Sequence, residues 1–518
     1  MTAMISCYNP ATREPLGEVP VDDPAAVGEA IRRARAAQVT WGAASPRRRA
    51  AVLSRILEHL LDHADELVEI VVRDAGKTRE HAIMGEIWPV AEKLRWTIAH
   101  GPGALADEPV ASGLLVHKRA RIRYLPLGVV GVICPWNYPL QNVLGPTISA
   151  LIAGNGVVCK VSEWVAWSSA RIQRIFDDAL GAEGFSPDLV RLVNGYGETG
   201  AALVRGGVDI VVFTGSVPNG RRVIAGSAEP ITPVILELGG KDPMILCEDA
   251  DLDLAAASAM AGVFINAGQN CLSSERLLVN DAVYDAFVAR MTEQVQALRQ
   301  WPPLGPEQVD VGAIISPLQL ELIAELVEDA RAKGARILAG GRVALPEVGQ
   351  YYAPTLIADA TPEMRIMTEE TFGPVMVISR VRDDAHALEL ANSTPFGLSS
   401  TVFSRDPARA AWFAERLQAG STLVNDFGLN YMIQGLPFGG VKASGFGRLN
   451  GVQGIRALCN AKAVVEDRVA VGVPTKVFPA APGDYATYKA AIEAIYRPAL
   501  AGKVRGAGQL LRAWMGRA

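Results

Sequence analysis

The sequence predicts an α/β protein with two lobes in tandem, and three observations lead to this prediction. Short β-branched runs alternate with segments of helical periodicity, which is the pattern of βαβ units around a parallel sheet. The alternation starts again after Gly239, so a second α/β series follows the first. The composition, 49% hydrophobic and 20% charged over 518 residues, is that of an ordinary globular chain.

The elements follow in order along the chain. Residues 24–41 and 47–73 carry apolar side chains at three-to-four spacing and are predicted as amphipathic helices. Residues 121–125 alternate like an exposed strand, whereas 129–133 form a continuous apolar run like a buried one. The other predicted strands are 156–159, 189–193, 209–213, 233–236, 244–247, 276–279 and 375–381. The other predicted helices are 168–180, 199–205, 252–265, 283–299, 318–333, 485–496 and 503–514.

Composition and charge exclude several classes of function. The formal net charge of −5 gives no basic field for binding nucleic acid. The six cysteines contain no CxxC pair, which argues against a disulfide scaffold, a zinc ribbon or another metal site and favours a reducing, cytoplasmic location. The N-terminus lacks a signal-peptide pattern, and the apolar runs break before about 18 residues, so no transmembrane span is predicted.

One glycine motif is ambiguous. Residues 195–200 read GYGETG, which formally matches the GxGxxG dinucleotide fingerprint and makes Gly197 a candidate cofactor residue. No acidic residue closes a second strand about twenty positions later, as that fingerprint requires. A glycine-rich turn that starts a helix explains the motif equally well.

Seven short motifs are more specific because of their order. They are PWNYP at 135–139, KVSE at 160–163, FTGS at 213–216, ELGGK at 237–241, GQNC at 268–271, ETFGP at 370–374 and PFGG at 437–440. With these motifs in this order, the chain resembles the aldehyde dehydrogenase superfamily from about residue 5 to residue 468. The resemblance implies a doubly wound nucleotide-binding lobe, a second α/β catalytic lobe and small oligomerisation strands.

The chemistry of aldehyde oxidation gives these motifs roles. An aldehyde releases hydride only after a nucleophile has made its carbon tetrahedral, and a thiolate is such a nucleophile. The resemblance implies that Cys271 is this nucleophile and that the Asn137 amide and the Cys271 N–H stabilise the oxyanion. It also implies that Glu237 activates the water that hydrolyses the thioester, and it places Lys160 in the catalytic set.

The same resemblance implies the cofactor residues. Lys160 and Glu163 match the pair that holds the adenosine ribose, and an acid there favours NAD over NADP, with NADP still open. Ser216 and the helix behind it would meet the pyrophosphate, Glu370 the nicotinamide ribose and Phe372 the nicotinamide ring. The remaining predicted cofactor residues are Trp136, Phe213, Gly215 and Leu238.

The expected substrate tunnel has few charged side chains. Its walls are predicted to contain Tyr138, Gln141, Asn142, Gly145, Asn270, Leu272, Phe427, Leu429 and Tyr431. Gly145 suggests a roomy entrance, and no arginine is placed to bind a substrate carboxylate. We therefore expect a medium- to long-chain aliphatic or aromatic aldehyde rather than a semialdehyde acid.

The resemblance also implies a domain organisation and leaves alternatives open. Residues 1–107 and 127–237 would form the NAD-binding domain, 238–455 the catalytic domain, and 108–126 with 456–468 an oligomerisation element of a homodimer or homotetramer. The helical extension 469–518 could attach to a membrane surface, cap a neighbouring tunnel or pack on its own oligomer. Alternative functions are a coenzyme A-acylating enzyme, which the retained Glu237 argues against, and a catalytically idle homologue, which the intact set of Cys271, Glu237 and Asn137 argues against.

Overall fold

A computed structural model describes residues 3–468 and 478–515. The chain forms two compact units, one of Met1–Glu108 with Ile122–Ala463 and one of Pro109–Arg121 with Val464–Ala518. The strands are β1 Met4–Tyr8, β2 Pro15–Pro20, β3 Glu108–Val110, β4 Lys118–Pro126, β5 Val129–Ile133, β6 Gly156–Val161, β7 Val190–Asn194, β8 Ile210–Gly215, β9 Val234–Leu238, β10 Pro243–Leu246, β11 Arg276–Asn280, β12 Arg336–Ala339, β13 Val343–Ala344, β14 Tyr351–Tyr352, β15 Thr355–Ala358, β16 Val375–Val381, β17 Thr401–Phe403, β18 Leu423–Val424, β19 Gly445–Phe446 and β20 Cys459–Asp467.

Helices connect and cover these strands. They are α1 Pro24–Ala43, α2 Pro46–Asp62, α3 Ala64–Ala75, α4 Arg79–Ala82, α5 Trp88–Ala104, α6 Pro139–Ala153, α7 Ser169–Ala182, α8 Gly197–Arg205, α9 Val217–Ser227, α10 Leu252–Phe264, α11 Asp281–Gln296, α12 Pro317–Ala332, α13 Asp384–Asn392, α14 Pro407–Arg416, α15 Leu429–Met432, α16 Gly451–Arg456, α17 Asp484–Tyr496 and α18 Leu500–Met515. A π-helical turn, Ile83–Ile87, joins α4 to α5.

Two sheets carry the large unit. The first has the order β19-β9-β8-β5-β6-β7, and its five strands from β5 to β9 run parallel. The second has the order β12-β15-β16-β11-β10-β17-β18 and is parallel except for β12. Helices bury both faces of such sheets, which is why their strands read as continuous apolar runs. The predicted α/β fold with two parallel sheets is confirmed.

The differences from the prediction include a divided helix, an unpredicted helix and a late strand in the first sheet. The segment 47–73 forms two helices, because the backbone of His63 (φ −115°, ψ 19°) leaves the helical region. Helix α6 was not predicted, since it is buried on nearly every side and so lacks an amphipathic period. Strand β19 lies within the range predicted for the catalytic domain, yet it pairs antiparallel with β9 of the first sheet.

Smaller elements complete the structure. Strands β20, β4 and β3 form a three-stranded sheet in that order. Helices α17 and α18 pack closely, since a Cβ on Gly506 would lie 2.4 Å from the backbone nitrogen of Ala494. The tail residues 469–477 and 516–518, and the side chain of Trp514, lie outside the described part of the chain. Within that part, no helix has the length and apolar character needed to cross a membrane.

Candidate active site

A cavity of about 630 Å³ lies where the parallel strands of the first sheet end. The segments that follow β5, β6, β8 and β9 line one part of it, as expected for ligand sites at the carboxyl edge of a parallel sheet. Every residue predicted for the site lines this cavity except Gly197. Gly197 begins α8 after the edge strand β7, and no residue of that turn reaches the cavity, so the structure favours the interpretation of a helix-starting turn.

Asn137 is buried and held on several sides. Its side-chain amide nitrogen donates to the carbonyl of Gln269 at 3.2 Å, and its side-chain oxygen accepts from Asn142 Nδ2 at 3.0 Å. Its own carbonyl accepts from Lys77 Nζ at 2.7 Å and from Asn266 Nδ2 at 2.9 Å. These contacts fix the amide beside the loop that carries Cys271.

A buried ion pair supports this arrangement. Lys77 Nζ lies 2.7 Å from Glu86 Oε1, and both side chains are almost fully buried. Glu86 Oε2 accepts from the backbone nitrogens of Leu140 and Gln141 at 3.0 and 2.8 Å. It therefore satisfies two otherwise free N–H groups at the start of α6, where the helix dipole favours a negative charge.

The loop before Cys271 has an unusual backbone. Asn266, Ala267 and Gly268 all have positive φ values of 53°, 56° and 72°. Only glycine fits at position 268, because a Cβ there would lie 2.0 Å from the carbonyl oxygen of Gly373. The buried amide of Gln269 donates to the carbonyls of Asn266 and Ala313 and accepts from the nitrogen of Ile315. Gln269 therefore anchors the loop that presents the thiol.

Cys271 and Glu237 influence each other's ionisation. Burial raises the pKa of Glu237 to about 7, and a hydrogen bond with the Cys271 thiol acts in the opposite direction. Burial, and then the Glu237 carboxylate, raise the pKa of Cys271 well above its ordinary value. Glu237 Oε1 has no hydrogen-bond partner in residues 3–468 and 478–515. The thiol is thus neutral at rest, and Glu237 is a nearby base with a free oxygen.

The other end of the cavity has the features of a dinucleotide site. Lys160 Nζ lies 3.2 Å from Glu163 Oε2 at the end of β6. Ser216 is the N-cap of α9, whose first turn has no acidic residue, so backbone N–H groups are available to an anion. The rings of Trp136 and Phe372 meet edge to face with centroids 5.3 Å apart. These residues fit a ribose, a pyrophosphate and a planar ring, respectively.

Glu370 lies in a loop that a second buried ion pair orders. Its Oε1 accepts from the nitrogen of Gly240 at 2.9 Å, and burial together with the Glu275 carboxylate raises its pKa to about 8. Glu275 forms an ion pair with Lys241 and accepts from the nitrogens of Thr371 and Phe372 at 2.8 and 2.9 Å. Glu275 thereby fixes the segment that carries Glu370 and Phe372.

The walls around the thiol are mainly apolar. Leu272, Phe438, Tyr431 and Leu449 pack with Cys271 in one cluster. The Gln141 amide donates to the Tyr431 hydroxyl, and both groups lie near the position that a side chain at Gly145 would occupy. Exposed apolar side chains, Met84, Trp88 and Leu429, also line the cavity and form its mouth.

Several residues of this site were not predicted from the sequence. Lys77, Glu86, Glu275 and Gln269 hold predicted residues in place, and Lys93 and Asn450 line the cavity. They lie in segments without chemical motifs of their own, apart from Gln269. The one available signal was the rarity of charged residues in otherwise apolar helical surroundings, as at Lys77 and Glu86.

Comparisons with known proteins agree with this geometry. The sequence model described as "Aldehyde dehydrogenase family" matches residues 2–464. The chain is 39% identical over 488 residues to the aldehyde dehydrogenase-like protein C21C3 of Schizosaccharomyces pombe, covering 92% of each chain. It is 35% identical over 495 residues to the 4,4'-diapolycopene aldehyde oxidase of a Methylomonas species, covering 95% of this chain and 91% of that protein.

Solved structures also resemble the chain. The NAD+ complex of an aldehyde dehydrogenase from Bacillus cereus superposes with a TM-score of 0.85 at 31% identity, covering 90% of this chain and 93% of the other. Residues 2–464, which the family model matches, contain both sheets and every residue that lines the cavity. The chain belongs to the aldehyde dehydrogenase family.

Proposed function

We propose that this protein oxidises a medium- or long-chain aliphatic or aromatic aldehyde to the carboxylic acid, with NAD as hydride acceptor. The observation that carries the proposal is the convergence of Cys271, Glu237 and Asn137 on one cavity, with Lys160 and Glu163 at its other part. Each residue type supplies one requirement of the reaction.

The first step is addition of the Cys271 sulfur to the aldehyde carbon. Glu237, directly or through water, accepts the thiol proton as the S–C bond forms. The carbonyl oxygen becomes an oxyanion, which the Asn137 amide and the Cys271 backbone N–H stabilise by hydrogen bonds. Because the thiol pKa is raised by burial, this proton acceptor is essential to the step.

Hydrolysis then releases the product. NAD, which Glu163, Ser216 and Glu370 would hold, would accept the hydride that the tetrahedral adduct loses as it becomes a thioester. Once Glu237 has passed the thiol proton to solvent, it removes a proton from water, and the resulting hydroxide adds to the thioester carbon. The C–S bond then breaks to give the acid and the Cys271 thiolate, which regains a proton from Glu237. A base with a pKa near 7 is suited to this task at neutral pH.

The residues of the cofactor end support NAD. The Glu163 carboxylate beside Lys160 can accept hydrogen bonds from ribose hydroxyls and would repel a 2′-phosphate. The B. cereus relative with a similar fold is described in complex with NAD+. The apolar walls and mouth support an aldehyde with an apolar body, and the name of the Methylomonas relative refers to such a compound.

NADH formation with a panel of aldehydes, using NAD and NADP, tests the proposal. We expect hexanal and benzaldehyde to react faster than acetaldehyde or succinic semialdehyde, and Cys271→Ala to abolish turnover. Cys247→Ala, a buried cysteine in the core of the second sheet, is the matched control and should remain active. Preference for the short aldehydes would overturn the substrate proposal, and activity in Cys271→Ala would overturn the mechanism.

The same assay separates the coenzyme A alternative. If coenzyme A were the acyl acceptor, its addition would accelerate NADH formation and yield an acyl-CoA. The presence of Glu237 at the thiol leads us to expect the free acid, detected by mass spectrometry, with or without coenzyme A.

A further inference from the structure

Lys93 is a buried lysine that the proposed reaction does not use. It lies on α5 one turn after Pro89, and both residues line the cavity. The residue is only 5% exposed, although Met84 and Trp88 on the same side of the chain are about half exposed at the mouth. Lys93 is therefore a buried residue of the cavity wall to which the exposed side chains of Met84 and Trp88 also belong.

Within residues 3–468 and 478–515, the amino group of Lys93 has no carboxylate partner. Its Nζ donates to Asn450 Oδ1 at 2.7 Å and lies 3.4 Å from the carbonyl oxygen of Leu449, and both acceptors are neutral. The other three buried lysines of the described chain, Lys77, Lys160 and Lys241, each form an ion pair with a glutamate. Burial without a counter-charge lowers the pKa of Lys93 to about 7, so an anionic ligand beside it would restore the charged form.

Asn450 supplies a second donor at the same place. It lines the cavity and is 2% exposed, and its Nδ2 donates no hydrogen bond within residues 3–468 and 478–515. Its Oδ1 is already taken by Lys93, which leaves the amide nitrogen for another acceptor. An ammonium and an amide N–H together suit a carboxylate, which can accept several hydrogen bonds through its two oxygens.

Leu449 defines the position of this pair relative to the thiol. Its side chain packs against the apolar cluster of Leu272, Leu398 and Phe438, against which Cys271 also packs. Its carbonyl oxygen lies 3.4 Å from Lys93 Nζ. Leu449 therefore lies between the apolar cluster near the thiol and the two donors, Lys93 and Asn450. A ligand that extends from the thiol to these donors passes apolar side chains. A ligand that reaches both must have an apolar body with an acceptor at its far end.

We propose that Lys93 and Asn450 bind the far-end carboxylate of a medium-chain ω-oxo acid whose aldehyde group lies at Cys271. This inference rests on the proposed function and narrows its substrate class. No arginine was expected in the tunnel walls to bind a substrate carboxylate, but a lysine and an asparagine can take that role. The chain is expected to exceed the four carbons of succinic semialdehyde, because Leu449 separates the donors from the thiol.

Matched substrate pairs test the proposal. The value of kcat/KM is measured for hexanal against 6-oxohexanoate and for octanal against 8-oxooctanoate. We expect the wild type to prefer at least one ω-oxo acid by about tenfold or more, as a charge-assisted hydrogen bond would give. In Lys93→Met this preference should disappear, with alkanal turnover within about twofold of wild type.

A second variant guards against a folding defect. Asn450→Asp places a carboxylate 2.7 Å from Lys93 and should remove the preference by neutralising the ammonium internally, while alkanal oxidation continues. The inference would be overturned if the wild type oxidised both members of each pair at equal rates. It would also be overturned if both variants lost activity equally on alkanals and on ω-oxo acids. Lys93 would then only connect α5 to residues 449–450 by hydrogen bonds.

A binding measurement separates this inference from the proposed function. Calorimetry with adipate, the dicarboxylate product of 6-oxohexanoate, requires no turnover. Adipate should bind the wild type and bind Lys93→Met at least about tenfold more weakly. Equal or absent binding to both proteins would overturn the inference even if alkanals are oxidised, whereas inactivity on all aldehydes with selective adipate binding would contradict only the proposed function.

Discussion

Replacing Lys77 with methionine tests whether the buried pair with Glu86 positions Asn137. The change removes the donor to Glu86 Oε1 and to the Asn137 carbonyl, each now 2.7 Å from Lys77 Nζ. Glu86 would keep the N–H groups of Leu140 and Gln141 but would be left as an unpaired buried charge. We expect both the stability and the activity to fall.

The magnitude follows from the burial of the pair. Breaking a fully buried ion pair from one side costs about 3–5 kcal/mol. Lys77 lies in a compact unit of about 450 residues, where an unfolding entropy of about 2.1 cal/mol/K per residue makes each 1 kcal/mol lower the melting temperature by about 1 °C. A decrease of about 3–5 °C is therefore expected. Loss of an oxyanion donor costs about 10²–10³ in kcat, and a displaced Asn137 amide should cost up to that amount.

Differential scanning calorimetry and steady-state kinetics measure the two effects. Lys333→Met is the matched control, because Lys333 forms an exposed pair with Asp329 and surface pairs contribute at most about 1 kcal/mol. The double variant Lys77→Met/Glu86→Gln should regain part of the lost stability, since it leaves no unpaired charge. A melting temperature within about 2 °C of wild type with unchanged kcat in Lys77→Met would refute the reasoning.

Three further predictions concern the loop, the base and the cofactor. The Glu237 carboxylate is the active form, and its pKa is raised to about 7, so kcat/KM should rise between about pH 6 and 8. Glu237→Gln should lose turnover. A flat pH profile would contradict the role of Glu237 as the base. Gly268→Ala should lower the melting temperature and the activity more than the control Gly334→Ala. Gly334 also has a positive φ (95°), but no atom lies within 4 Å of the position of its new Cβ. Equal effects of the two changes, measured by calorimetry, would show that the contact with Gly373 is unimportant. Glu163→Ser should raise the NADP-to-NAD ratio of kcat/KM about tenfold or more by removing the charge that repels a 2′-phosphate, and an unchanged ratio would exclude Glu163 as the discriminating residue.

The sequence predicted the parts of this protein whose signals are local. Continuous apolar runs identified strands such as β5, and the motif around Cys271 identified the loop that holds it. The supporting residues could not be predicted, because their partners are distant in sequence: Lys77 meets Asn137 across 60 positions, and Glu275 meets Thr371 across 96. Lys93 was missed for the same reason, since only the fold brings α5 to Asn450.

The short strand β19 has a consequence for how substrates reach the thiol. It comes late in the chain, after the whole second sheet, yet Gly445 pairs with Glu237 on β9 of the first sheet. Strand β9, which carries Glu237, is thus paired with a segment that follows the second sheet in the chain. Movement of the second sheet away from the first would pull on the β19–β9 pairing next to Glu237. Met84, Trp88 and Leu429 line the cavity and are about half exposed, so we expect motion of these side chains to be sufficient for ligand exchange.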